Sequence, residues 1–84
     1  MEIVLVERSF DEPVQLEALQ AAERGASWCL EMHRVKFLHT YVSKDGKRMI
    51  CVYEAPDAEA VRKANETSKI PFDRVYTVSK HAAT

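Results

Sequence analysis

The sequence is short of the residues that build special-purpose architectures. It has only two cysteines, Cys29 and Cys51. That is too few for a disulfide framework, so a reduced, cytoplasmic setting is expected. Two glycines and three prolines leave no glycine-rich phosphate loop, linker or low-complexity segment. A nucleophile elbow, a paired-cysteine motif and an HExxH sequence are all missing, and no internal repeat is visible. The longest apolar run near the start is Ile3 to Val6, so neither a signal peptide nor a membrane span is expected. No charge of one sign dominates: 12 basic and 13 acidic residues give a formal net charge of -1. Basic residues alternate with acids, which argues against nucleic acid as a partner. Lys44, Lys47 and Arg48 gather in one place, but Asp45 dilutes them into a solvated turn.

What is there is one domain, residues 1–84, of a size that often needs oligomerisation or a metal to supplement its core. Its organising feature is a hairpin from Val35 to Ala55, two β-rich runs around Asp45-Gly46. Gly46 can take the positive φ of a turn, and Asp45 tolerates it. Both runs carry apolar residues at odd and even positions, so both faces of the hairpin are expected to be covered.

Glu2 to Glu7 reads as a first strand, with Arg8-Ser9-Phe10 leading out of it. Asp11-Glu12-Pro13 is a helix start, with proline at an early position and acids at the positive end of the dipole. Leu16, Leu19, Ala22 or Ala26, and Cys29 or Leu30 continue an amphipathic helix that bends at Gly25 and ends near His33-Arg34. After the hairpin, Asp57 caps a second helix over about Ala58 to Thr67, with Ala60, Val61 and Ala64 inward. Arg74 to Ser79 is a fourth strand, and 79–84 is expected to fray.

The order β-α-β-β-α-β with right-handed crossovers predicts an α+β, ferredoxin-like fold. It has a four-stranded antiparallel sheet with two helices on one face. The other face would expose a large apolar patch. A homodimer with the two sheets packed together, as in dimeric α+β barrels, is therefore expected.

Candidate chemistry is sparse. Cys29 and His33 lie four apart on one helical face and are donors suited to zinc, nickel or copper. A buried cysteine that packs as a small hydrophobe, beside a dipole-aiding histidine, explains the same pair. His39 and Tyr41 share a strand face and could do acid–base work on a small apolar ligand. They could equally be ordinary strand or interface residues. With a two-residue loop His39 pairs with Val52 and Cys51 points away; with a loop one residue longer on one side Cys51 lies opposite Tyr41 and joins the His39 face. Trp28, Met32, Phe37 and Met49 could line a pocket, though cores use the same residues. Among the acids, Glu2, Glu7, Glu54 and Asp57 could complete a metal shell. Glu54 stands out because it ends an apolar run. His81 would need the tail to fold back.

The run Met49-Ile50-Cys51-Val52-Tyr53-Glu54-Ala55-Pro56-Asp57-Ala58-Glu59-Ala60-Val61-Arg62 carries further information. With Pro71-Phe72-Asp73-Arg74-Val75, Val6-Glu7-Arg8-Ser9-Phe10 and the strand from Val35 to Val42, it resembles a family of small bacterial nickel-binding-protein-like domains. The resemblance covers nearly the whole chain. It implies a ferredoxin-like fold, a tendency to dimerise, and a nickel-responsive relative.

Three functions stand side by side. In the first, a cytoplasmic homodimer binds nickel or another divalent transition metal, with ligands drawn from Cys29, His33, His39, Cys51 and Glu54. In the second, a dimeric barrel enzyme acts on a small molecule through His39 and Tyr41. In the third, a structural or regulatory partner holds no ligand.

Overall fold

The computed structural model of the chain describes residues 1–15, 17, 33–68 and 71–83. Four strands and one helix are defined there: β1 (Glu2–Ser9), β2 (Lys36–Val42), β3 (Arg48–Ala55), α1 (Ala58–Ser68) and β4 (Arg74–Val78). The strands form one antiparallel sheet in the order β2-β3-β1-β4. This α+β arrangement has the strand order of a ferredoxin-like fold. Most of the first helix expected from sequence falls on residues outside the described set, as do Trp28, Cys29 and Met32; at its expected start, residues 11–15 are not helical, and His33 and Arg34 at its expected end form a turn.

β1 alternates strictly. Val4, Val6 and Arg8 are buried, while Ile3, Leu5 and Glu7 are half-buried. Period two places the first set on the face covered by α1. There Val61 and Ala64 of the helix join Val4, Val6, Met49, Cys51, Tyr53, Ala55 and Val75 in one core. Asp57 caps α1 as expected, its Oδ1 accepting the Ala60 N–H at 2.8 Å.

Two readings change. Arg8 and Ser9 do not lead out of β1; they extend it, pairing with Met49 and Arg48 of β3. Arg8 is 3% exposed. Its guanidinium donates to Pro71 O at 2.8 Å, Asn65 Oδ1 at 2.7 Å and Tyr53 Oη at 3.3 Å. Asn65 is in the last turns of α1, so the negative end of the helix dipole offsets the buried charge. Among the described residues, the Arg8 Nε–H has no hydrogen-bond partner.

The second change concerns the hairpin. Within one chain β2 is an exposed edge strand, with Leu38, Tyr41 and Val42 well exposed. The register shifts between Phe37 and His39, leaving Leu38 as a bulge. The bulge lets Phe37 and Thr40, three apart, both turn toward the core side.

Asp45 organises the hairpin tip. Its carboxylate accepts from Ser43 Oγ at 2.6 Å and Lys47 N–H at 3.0 Å. Those bonds, the Ser43 one first, hold the Asp45 carboxyl below its ordinary range. Gly46 has φ +74°, which a side chain would strain.

Candidate functional site on the open sheet face

Strand register sorts the candidate residues by face. Paired residues share a face, and neighbours along a strand alternate. Beyond Leu38 the pairing is His39 with Val52, Thr40 with Cys51 and Tyr41 with Ile50. This is the register of a two-residue loop, although the tip spans the four residues between Ser43 and Arg48, which are joined by a 2.9 Å backbone bond. Cys51 is therefore fully buried on the core side, with Thr40 Oγ1 3.6 Å from its Sγ. His39, Tyr41 and Glu54 are on the opposite, open face.

That face reads as three lateral rows. Arg74, Glu7, Ile50 and Tyr41 form the row nearest the hairpin tip. Tyr76, Leu5, Val52 and His39 form the middle row, and Val78, Ile3, Glu54 and Lys36 the far one. Leu5 and Val52 make the centre apolar, and Arg74, Glu7, Glu54 and Lys36 bring charge to the outer rows beside Ile50, Ile3 and Val78. His39 and Glu54 occupy diagonal positions on neighbouring strands, close enough for long side chains to reach one ligand. The His39 and Tyr41 rings meet edge to face, centroids 5.2 Å apart. His33 is half-buried in the turn before β2, and His81 is exposed, its Nε2 2.9 Å from Ser79 Oγ. Cys29 lies outside the described residues. Among the described residues, no group of three His, Cys, Asp or Glu comes together as a metal shell.

Sequence reasoning gave Glu7 only a minor part and Arg74 and Tyr76 none. In the structure they form the strongest polar cluster on the open face. The Tyr76 phenol donates to Glu7 Oε2, and Arg74 reaches Oε1 at 3.2 Å. The phenol's bond, and after it Arg74, holds the Glu7 carboxyl below its usual range. The same bond raises the Tyr76 phenol. The signal was present in sequence as alternation, Glu7 one period from Leu5 and Arg74 one from Tyr76. Only register brings the two strands' residues together.

Beside this cluster is a groove of about 430 Å³ bordered by Glu7, Tyr41, Ser43, Arg48, Ile50 and Asp73. Tyr41 borders it; His39, one row away, does not.

Among the described residues, no helix is long and apolar enough to cross a membrane. A search of curated proteins finds no match to the chain. Among solved structures, the crystal structure of SCO4226 from Streptomyces coelicolor A3(2) is similar over 95% of this chain and 99% of that one. The TM-score is 0.83 at 19% identity, a likeness of fold. The family model described as "Nickel responsive protein SCO4226-like" matches residues 5–78. By that match, spanning nearly the whole chain, the protein belongs to the SCO4226-like family of nickel-responsive proteins.

Proposed function

We propose that the chain is a cytoplasmic, homodimeric protein that binds a divalent transition metal, nickel first among them. The observation that carries this reading is the match to the nickel-responsive family over residues 5–78. The open face supports it in two ways. Ile3, Leu5, Ile50, Val52 and Val78 form an apolar centre on a sheet whose other side is already covered by α1, which suits a second sheet with the same pattern. His39 and Glu54 also supply an imidazole and a carboxylate, donors that nickel, zinc and copper accept.

One chain's described residues do not complete a metal shell. His39 and Glu54 give two donors, and a second copy packed on the open face gives the same two again. Metal uptake and dimerisation are then coupled. The Cys51 thiol belongs to a different arrangement: it faces the core, so it cannot join His39 on one ion within a chain. Single substitutions of Cys29, His33, His39, Cys51 and Glu54 apportion the donors.

Native mass spectrometry with elemental analysis of untagged protein tests the reading. A dimer carrying near-stoichiometric nickel is expected. Protein that holds no metal and takes up no added nickel, copper or zinc rejects the metal. A monomer at all concentrations and metal loadings rejects the sheet-to-sheet dimer.

A further inference from the structure

Asp45-Gly46 is the one place in the chain where an aspartate precedes a glycine. Asp11, Asp57 and Asp73 precede Glu12, Ala58 and Arg74, and the lone asparagine, Asn65, precedes Glu66. An aspartyl-glycyl bond carries its own chemistry. The glycine amide nitrogen can attack the aspartate Cγ, because glycine has no Cβ to stand in the way. A cyclic succinimide forms and one water leaves. Water then reopens the ring at either carbonyl. The products are aspartate again, or isoaspartate, in which the main chain runs through Cβ and Cγ.

The fold exposes Asp45 at the hairpin tip but engages both reacting groups elsewhere. The Gly46 N–H donates to Ser43 O at 2.9 Å, closing a turn. The Asp45 carboxylate is turned back, its Oδ1 accepting from Ser43 Oγ at 2.6 Å and from the Lys47 N–H at 3.0 Å. These bonds favour the ionised carboxylate, whose negative charge repels a nucleophile. The Ser43 hydroxyl ties the two sides of the tip together: it donates to Asp45 and accepts the Arg48 N–H at 3.0 Å. The backbone around it is held by the Ser43 N–H to Arg48 O bond at 2.9 Å and the Val14 N–H to Gly46 O bond at 2.7 Å.

We propose that Asp45 is the chain's site of isoaspartate formation, and that the Ser43 hydroxyl is the latch that keeps the reaction slow while the hairpin is folded. The reaction needs no enzyme, metal or oxidant: one water leaves, one returns, and no electrons are exchanged. It proceeds from molecules in which the tip is open, so its rate follows the opening of the tip. The product matters beyond the tip. Isoaspartate adds one atom to the main chain inside the turn that joins β2 to β3. The register of that pair sets His39 on the open face and Cys51 on the core side.

The test is prolonged incubation of the full chain at neutral pH and physiological temperature, folded and in guanidinium. Peptide mapping with electron-transfer fragmentation locates and counts isoaspartate. Isoaspartate is expected at residue 45 in the denatured chain, and roughly tenfold or more slowly in the folded one, a factor that one or two net hydrogen bonds supply. Ser43→Ala, at an exposed position, raises the folded rate several-fold and leaves the denatured rate unchanged. Ser43→Thr, which keeps the hydroxyl, retains the slow folded rate. Amide spectra check that both variants are folded. Three results overturn the proposal: no isoaspartate at residue 45 in the denatured chain, equal rates in the folded and denatured wild type, or a folded Ser43→Ala chain that isomerises no faster than wild type.

Discussion

The Tyr76 phenol and the Glu7 carboxylate are hydrogen-bonded across the β1–β4 pair, one step diagonal to the register that sets Glu7 opposite Arg74. Arg74 completes the cluster, bonding Glu7 and lying over the Tyr76 ring at 5.9 Å. The bond favours an ionised Glu7 and a neutral Tyr76.

A pH dependence follows from this pair. Glu7 is depressed in the folded chain relative to its ordinary value of 4.5. The unfolded chain therefore binds the proton more readily, and Glu7 contributes stability that is whole above about that pH and lost as pH falls through the folded value below it. Tyr76 is raised above 10.0, so its contribution is whole below that pH and lost as pH rises through the folded value. Thermal melts of wild type and Glu7→Gln between neutral pH and pH 3 should converge toward the acid end. Parallel curves across that range would show that Glu7 carries no such linkage.

Gly46→Ala should lower stability by about 1–2 kcal/mol, the cost of a side chain in the left-handed region. The φ of +74° is one cause. Crowding is the other: a Cβ there would be 3.1 Å from Pro13 Cβ. The tip is tied down on that side, Gly46 O accepting the Val14 N–H at 2.7 Å and Lys47 O the Phe10 N–H at 2.8 Å. Urea denaturation reads the change, and a neutral result would mean that the tip relaxes freely.

Asn65→Ala removes an acceptor from the buried Arg8 guanidinium and should cost about 1–3 kcal/mol. Arg8→Met with Asn65→Leu should cost less than the two single changes added, because it removes both polar partners rather than orphaning one. A double-mutant cycle by chemical denaturation gives the coupling. Strict additivity would mean that the bond contributes nothing.

His39→Ala should weaken nickel binding by roughly tenfold or more and shift the dimer toward monomer in the presence of nickel. Sedimentation with and without nickel measures both. Loss of metal with no change in assembly would uncouple the two, and nickel binding unchanged by the substitution would move the donors away from the open face.

The strands, the Asp57-capped helix and the hairpin centred on Asp45-Gly46 could be read from the sequence because their causes are local. Alternation over a few residues makes a strand, a side-chain oxygen before Ala60 caps a helix, and glycine admits a positive φ. The nickel-responsive family was likewise carried in the run from Met49 to Arg62 and is matched over residues 5–78. What tertiary structure decided were relationships that depend on pairing. The hairpin pairs Thr40 with Cys51 and His39 with Val52, which keeps Cys51 on the core side and His39 on the open face; a shift of one would exchange them. The bulge at Leu38 then turns Phe37 to the core side. Arg8, a surface residue by its chemistry, became an internal one because Asn65, Tyr53 and Pro71 converge on it from 45 to 63 residues away. Glu7 and Tyr76, 69 residues apart, met only when β1 and β4 aligned. Local sequence sets what each segment can be; register and long-range pairing set which side chains meet.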